Sequence, residues 1–328
     1  MKNKNKKKYI RNLIGVALSS IILYFIFKKL LINYQQVKEA IAHANFFLII
    51  LGILFIFLGE MFVVLTWKEF MLKFYGKKIP FYQSLILMFL PNVARYIPGK
   101  VWFVFGIAYL SNKWKIDAVS ALTVTLVTQI IILLSALLSG IIYIGFSGIY
   151  NLPYWIYLFV AALIILIIQP KILHKLLYYI LKFVKKDYNL EKIPEMSPGV
   201  LLKTLVFGIF LWTFIGIGVT ISGIAFYNNI SLGDFHTIAG AFSISYFIGY
   251  ASIITPAGLG IREGAFILLL PNYLSETQKL VFSISSRIWM TLAEILIFIV
   301  GGILLKVKSK EYKNNDKSPS HSNGISSQ

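Results

Sequence analysis

The sequence predicts an all-α polytopic membrane protein with six transmembrane helices plus two re-entrant helical hairpins arranged as an inverted repeat. Three observations carry that fold class. Of 328 residues, 58% are hydrophobic and only 14% charged, with a mean hydropathy of +0.76, more apolar surface than one soluble core could hide. Apolar runs recur from one end of the chain to the other, several reaching the roughly 20 residues that cross about 30 Å of hydrocarbon. Most Lys and Arg sit in short segments between them.

Continuous spans are expected at 11–32, 46–66, 117–146, 152–169, 200–227 and 279–305. The first follows the basic stretch MKNKNKKKYIRN; without an A-x-A-like cleavage site it reads as a retained span rather than a signal peptide. Regions 81–110 and 235–270 are apolar but interrupted, one by PNVARYIPGK and the other by TPAGLGIREG. Pro, Gly and charge there break a continuous helix.

Charge decides how the interrupted regions lie. With both as hairpins that return to the side they enter from, the Lys- and Arg-rich segments 2–11, 68–78, 113–115, 171–192 and 306–317 all fall on one face. The opposite face holds Lys28, Lys29, Lys38 and Lys279, while SGIYNLP and NNISLGD carry no basic residue. A single crossing by 81–110 would carry the 171–192 cluster to the outer side, against the positive-inside bias.

The resulting organisation has a basic cytoplasmic N-terminus at 1–10 and a first repeat at 11–146 containing hairpin 81–110. A second repeat of opposite orientation spans 147–305, with a basic interfacial helix at 171–186 and hairpin 235–270. Residues 306–328 read as a disordered cytoplasmic tail. Localisation is then a multi-pass cell-membrane protein with both termini cytoplasmic. Such repeats place binding sites where broken helices meet near the midplane.

The net charge of +19 accordingly points to anionic phospholipid headgroups rather than nucleic acid. Absence of Cys excludes disulfides, thiolate catalysis and cysteine-held metal. His43, His174, His236 and His321 lack metal-ligand spacing, GLGIREG does not fit a nucleotide-binding glycine loop, and no triad signature is present. No cofactor and no metal are expected.

Candidate binding residues therefore come from the breaks. Pro98 and Gly99 permit a reversal, after which Arg95 and Lys100 set positive charge beside a new helix N-terminus, an anion site in its own right; the same side chains could instead anchor the hairpin at the headgroups. In the second hairpin Pro256, Gly258, Gly260 and Gly264 make the break, and Arg262 and Glu263 open the following helix. A charge in the membrane needs a reason: a planar guanidinium suits a phosphate, and an internal ion pair is compatible with it. Arg287 and Glu294, seven apart, share a helical face and read with Glu60 as buried ionisable support. Gln129 reads as a helix-packing hydrogen bond. In KILHKLLYYILKFVKK, Lys171, His174, Lys175, Tyr178 and Lys182 fall along one face, as in a helix lying on anionic headgroups.

YIPGKVW and TPAGLGIREGAF resemble the two signature regions of the lysylphosphatidylglycerol synthase transmembrane, or flippase-like, family, and the resemblance covers about 11–305. It implies a multi-span domain that translocates an aminoacylated phospholipid or a related lipid-linked molecule; a polyprenyl-linked glycolipid is the alternative cargo. Pro256, Gly258, Gly260, Arg262, Glu263 and Gly264 carry over from the second motif, Pro98 and Gly99 from the first. Synthesising members carry a soluble aminoacyltransferase domain after the membrane part, and here only KVKSKEYKNNDKSPSHSNGISSQ follows. The expectation is thus a lipid flippase-like transporter and not an enzyme, with a lipid-modifying or glycosyl transferase as a possible partner. The competing readings are a membrane enzyme of phospholipid modification, with Glu263 or Glu294 as acid or base, and a scaffold for a partner synthase.

Overall fold

A computed structural model describes residues 28, 31–32, 34–91, 101–149, 153–169, 171–172, 174–175, 178–179, 197–252 and 258–315. In chain order the helices are α1 (Tyr34–Ala42), α2 (Phe46–Tyr75), α3 (Phe81–Phe89), α4 (Val101–Lys113), α5 (Ala118–Phe146), α6 (Tyr154–Ile168), α7 (Pro198–Phe226), α8 (Phe235–Ala251), α9 (Ile261–Leu269) and α10 (Glu276–Asn315). No strand occurs among the described residues, as expected where hydrocarbon leaves each backbone amide to find its partner within its own segment.

Four helices are long and apolar enough to cross a membrane: Phe46–Tyr75, Ala118–Phe146, Pro198–Phe226 and Glu276–Val307. They match four of the six spans expected from sequence. The run at 11–32 lies almost wholly outside the described residues. Helix α6, at 15 residues, is shorter than the roughly 20 a perpendicular span needs. Both interrupted regions form pairs of short helices, α3 with α4 and α8 with α9. Helix α10 continues beyond the expected boundary at 305 as far as Asn315. Of the basic segment 171–186, residues 171, 172, 174, 175, 178 and 179 are helical, and the remainder lies outside the described residues.

Local chemistry sets the helix ends. The Asn45 side chain accepts from the Leu48 amide at 3.3 Å, and Asp117 accepts from the Ser120 amide at 2.7 Å, so each serves as an N-cap. Pro198 occupies the first turn of α7, where its missing N–H costs no intrahelical bond. Gly76, in the left-handed region at φ 65, ends α2 by donating to the Leu72 carbonyl, a conformation that suits glycine.

Helices α2 and α7 form the most extensive pairing. Their backbones touch at Gly52 and Gly218: a Cβ on Gly218 would lie 2.4 Å from the Gly52 carbonyl oxygen, and one on Gly52 would lie 2.6 Å from that of Gly218. Small residues bring helices close where lipid tails offer no hydrophobic drive for association. Indole donors tie in the neighbours, Trp67 to the Thr125 hydroxyl at 2.9 Å and Trp212 to that of Ser135 at 3.1 Å.

Around this pair the contacts match when the two halves of the chain are exchanged. Helix α5 packs on α8 as α10 packs on α3; α2 packs on α3 as α7 does on α8; α4 packs on α5 as α9 does on α10; and α7 meets α5 as α2 meets α10.

Candidate functional site

The second interrupted region folds back on itself. Gly258 and Gly260 have φ values of 66 and 82, which a side chain would strain. A Cβ on Gly258 would fall 2.5 Å from the Gly249 carbonyl oxygen, and one on Gly249 would fall 2.7 Å from Cβ of Arg262. Glycine at 249 and 258 therefore lets the end of α8 nest against the start of α9. At the other end of this hairpin the Tyr273 hydroxyl donates to Asp234 Oδ1 at 2.5 Å. The other Asp234 oxygen receives the Ser231 amide at 2.8 Å. The segment that leaves from Asp234 thus returns beside it. Burial, reinforced by the carboxylate, pushes the Tyr273 phenol well above its ordinary value, so this donor keeps its proton into alkaline solution.

Helix α9 is locked at its first turn by Glu263. One carboxylate oxygen accepts the Gly260 amide at 2.6 Å, while the other pairs with Arg287 of α10. The Ser283 hydroxyl of α10 donates to the Glu263 backbone carbonyl at 3.1 Å. Expected to share a headgroup with Arg262, Glu263 is instead consumed as a cap and as the link between α9 and α10. Its negative charge would also oppose a phosphate. Gly264, expected at the break, lies within α9 and has nothing near the place of its missing side chain.

Arg262 is arranged differently. Its guanidinium carbon lies 4.6 Å from the centroid of the Phe242 ring and 4.9 Å from that of Tyr246, one helical turn apart on α8. The Nη2 atom is enclosed by protein and has no hydrogen-bond partner among the described residues. Cation–π contact contributes about 0.5–2 kcal/mol, whereas an enclosed donor without an acceptor costs about 1–3 kcal/mol, and more when charged. The two rings hold this cation without satisfying it.

Phe242, Ser245, Phe266, Ser283 and Ser286 complete the crevice around Arg262, Glu263 and Arg287, which has no space for a water molecule. The serine protons are directed at the backbone: Ser245 donates to the Phe242 carbonyl at 2.7 Å and Ser286 to that of Ser283 at 2.8 Å. The crevice as it stands has no room for a ligand between the α8–α9 pair and α10.

Of the other expected site residues, Glu60 is buried on α2 and Glu294 lies half-buried on α10; both are engaged by neighbouring groups. Gln129 is half-buried on α5. Arg95, Pro98, Gly99, Lys100 and Pro256 lie outside the described residues. Sequence reasoning missed Phe242, Tyr246 and Ser283. The aromatic pair at i and i+4 on α8 was the available signal, since residues so spaced share a helix face. Among the described residues no three His, Asp or Glu side chains gather as a metal site would require.

A family model described as the lysylphosphatidylglycerol synthase TM region matches residues 12–301. No curated protein matches the chain, and no solved structure does.

Proposed function

The chain belongs to the lysylphosphatidylglycerol synthase TM region family, and from that premise we propose that it is a flippase-like transporter for a lipid with a phosphate-bearing headgroup. Family membership and the four spanning helices make it a membrane protein related to lipid modification or transport. The finer reading rests on one observation above the rest: the enclosed guanidinium of Arg262, held on two aromatic faces with an Nη2 donor unfilled. A phosphate oxygen would supply the missing acceptor through a charge-assisted bond.

In this proposal six spans and two re-entrant hairpins form an inverted repeat in the cell membrane with cytoplasmic termini. The pairwise matching of contacts between the halves supports the repeat. The return of the second hairpin to Asp234 supports re-entry rather than a crossing. Transport would alternate between the closed crevice and a state in which the hairpin has left α10. Because Glu263 joins these elements through Arg287 and Ser283, it acts as the latch and not as a ligand. With that carboxylate committed to the latch, the proposed cargo crosses chemically unchanged. An aminoacylated phospholipid or a polyprenyl-linked glycolipid fits, supplied by a partner lipid-modifying or glycosyl transferase.

The test is translocation of fluorescent lipids of both classes in proteoliposomes, comparing wild type with Arg262→Ala and Arg262→Lys. Loss of a charge-assisted bond of about 1.5–3 kcal/mol slows the alanine variant roughly tenfold to a hundredfold, with partial recovery in the lysine variant. A folded Arg262→Ala protein that translocates at the wild-type rate would overturn the site. A new lipid species in the product mass spectrum would establish chemistry in place of transport.

A further inference from the structure

We propose a second lipid site, separate from the Arg262 crevice: a cleft at the end of α2 that seats one anionic phospholipid. Where α2 stops at Gly76 and the chain turns into α3, Lys68, Leu72, Lys78, Ile79 and Pro80 line an open cleft of about 440 Å³. Its chemistry is divided. Leu72, Ile79 and Pro80 form an apolar floor, and two ammonium groups stand on the rim.

Among the described residues no carboxylate lines the cleft and neither lysine has an ion-pair partner. The nearby acidic side chain on the same helix, Glu69, is taken by Lys203 of α7 at 3.0 Å. Lys68 is half-buried and Lys78 exposed, while Ile79 is only 4% exposed. The rim thus keeps its charge at the surface, while Leu72 is half-buried and Pro80 exposed, leaving apolar surface for a ligand to cover. Two cations above an apolar floor fit a molecule with a phosphate at one end and hydrocarbon at the other. A free phosphate would use the rim but leave the floor wet. The cleft opens at the end of a spanning helix, the level at which a headgroup lies.

The inference requires α2 to cross the membrane and is independent of whether the protein translocates lipid. Attraction of a Lys to anionic lipid, combined over two residues, corresponds to a preference of roughly thirtyfold for a phosphatidylglycerol molecule over phosphatidylcholine. Native mass spectrometry of the full chain released from mixed phosphatidylglycerol–phosphatidylcholine nanodiscs reads that preference directly.

Wild type is expected to retain one anionic lipid that Lys68→Gln/Lys78→Gln does not. Lys113→Gln/Lys115→Gln, an equal loss of charge elsewhere, is expected to retain it. Leu72→Trp, at a half-buried lining position, fills the floor while leaving both cations and is expected to lose the lipid; it also carries the test if the double lysine variant fails to fold. Equal loss in both double lysine variants, or retention by Leu72→Trp, would overturn the proposal. Displacement of the bound species by inorganic phosphate alone would do so as well, because that outcome assigns the site to a soluble anion. Measured beside these, translocation by Arg262→Ala separates failure of the transport reading from failure of this one.

Discussion

Replacing Glu263 tests the latch most directly. Its side chain is 6% exposed and that of Arg287 23% exposed, so removing the carboxylate takes the charged partner from a mostly buried cation that keeps other contacts. Breaking such a pair from one side costs about 3–5 kcal/mol, and the partial exposure of Arg287 places this case at the lower end. The carboxylate also caps the Gly260 amide at 2.6 Å, a contribution of about 1 kcal/mol. Glu263→Ala should therefore lower unfolding free energy by about 4 kcal/mol. Glu263→Gln keeps an acceptor for the amide and should lose about 1 kcal/mol less. Adding Arg287→Met to Glu263→Gln removes the cation that has lost its carboxylate, so the double variant should be more stable than the sum of the single losses implies. Unfolding in mixed micelles titrated with dodecyl sulfate measures wild type, Glu263→Ala, Glu263→Gln, Arg287→Met and the double variant. If Glu263→Ala falls within about 0.5 kcal/mol of wild type, the limit for an uninvolved surface position, the assignment of Glu263 as a link between α9 and α10 is wrong.

Other positions give independent checks. Gly218→Leu must push apart the closest backbone contact of α2 and α7 and should cost at least about 1–3 kcal/mol in the same titration. Gly264→Ala meets nothing within 4 Å and should be neutral or gain up to about 1 kcal/mol from better helix propensity; a large loss would restore Gly264 as a break. Partial burial pushes the Asp117 carboxyl up, but bonds from the Ser120 hydroxyl and amide outweigh this and leave it below its ordinary value of 3.8. Its contribution to the start of α5 is thus fully present above the unfolded carboxylate range and lost as pH falls through the lower folded value. Hydrogen-exchange protection at Ser120 should fall in that acid window in wild type and stay level in Asp117→Asn, which caps without titrating.

The helices were legible because each depends on a run of similar residues, and an apolar run in lipid has few alternatives to a helix. The breaks were legible for the converse reason: Gly258 and Gly260 stand at positive φ, where few other residues rest without strain. The partners of the charges were not legible. The sequence suggested a phosphate or an unspecified carboxylate for Arg262 and grouped the adjacent Glu263 with it at the headgroup. Adjacent helical residues project about 100° apart, however, and do not face each other. Glu263 turns to Arg287 on α10, while Arg262 turns to Phe242 and Tyr246 on α8. Which cation receives the carboxylate depends on how a hairpin sits between two other helices, information spread over positions 242, 246, 283 and 287 and absent from any local motif. That division gives the site its character. Were Arg262 the residue neutralised by Glu263, the crevice would have no unsatisfied cation and no chemical reason to admit an anion. Because Arg287 takes the carboxylate, Arg262 keeps a donor with no acceptor among the described residues, and it is this donor that the proposed phosphate would fill.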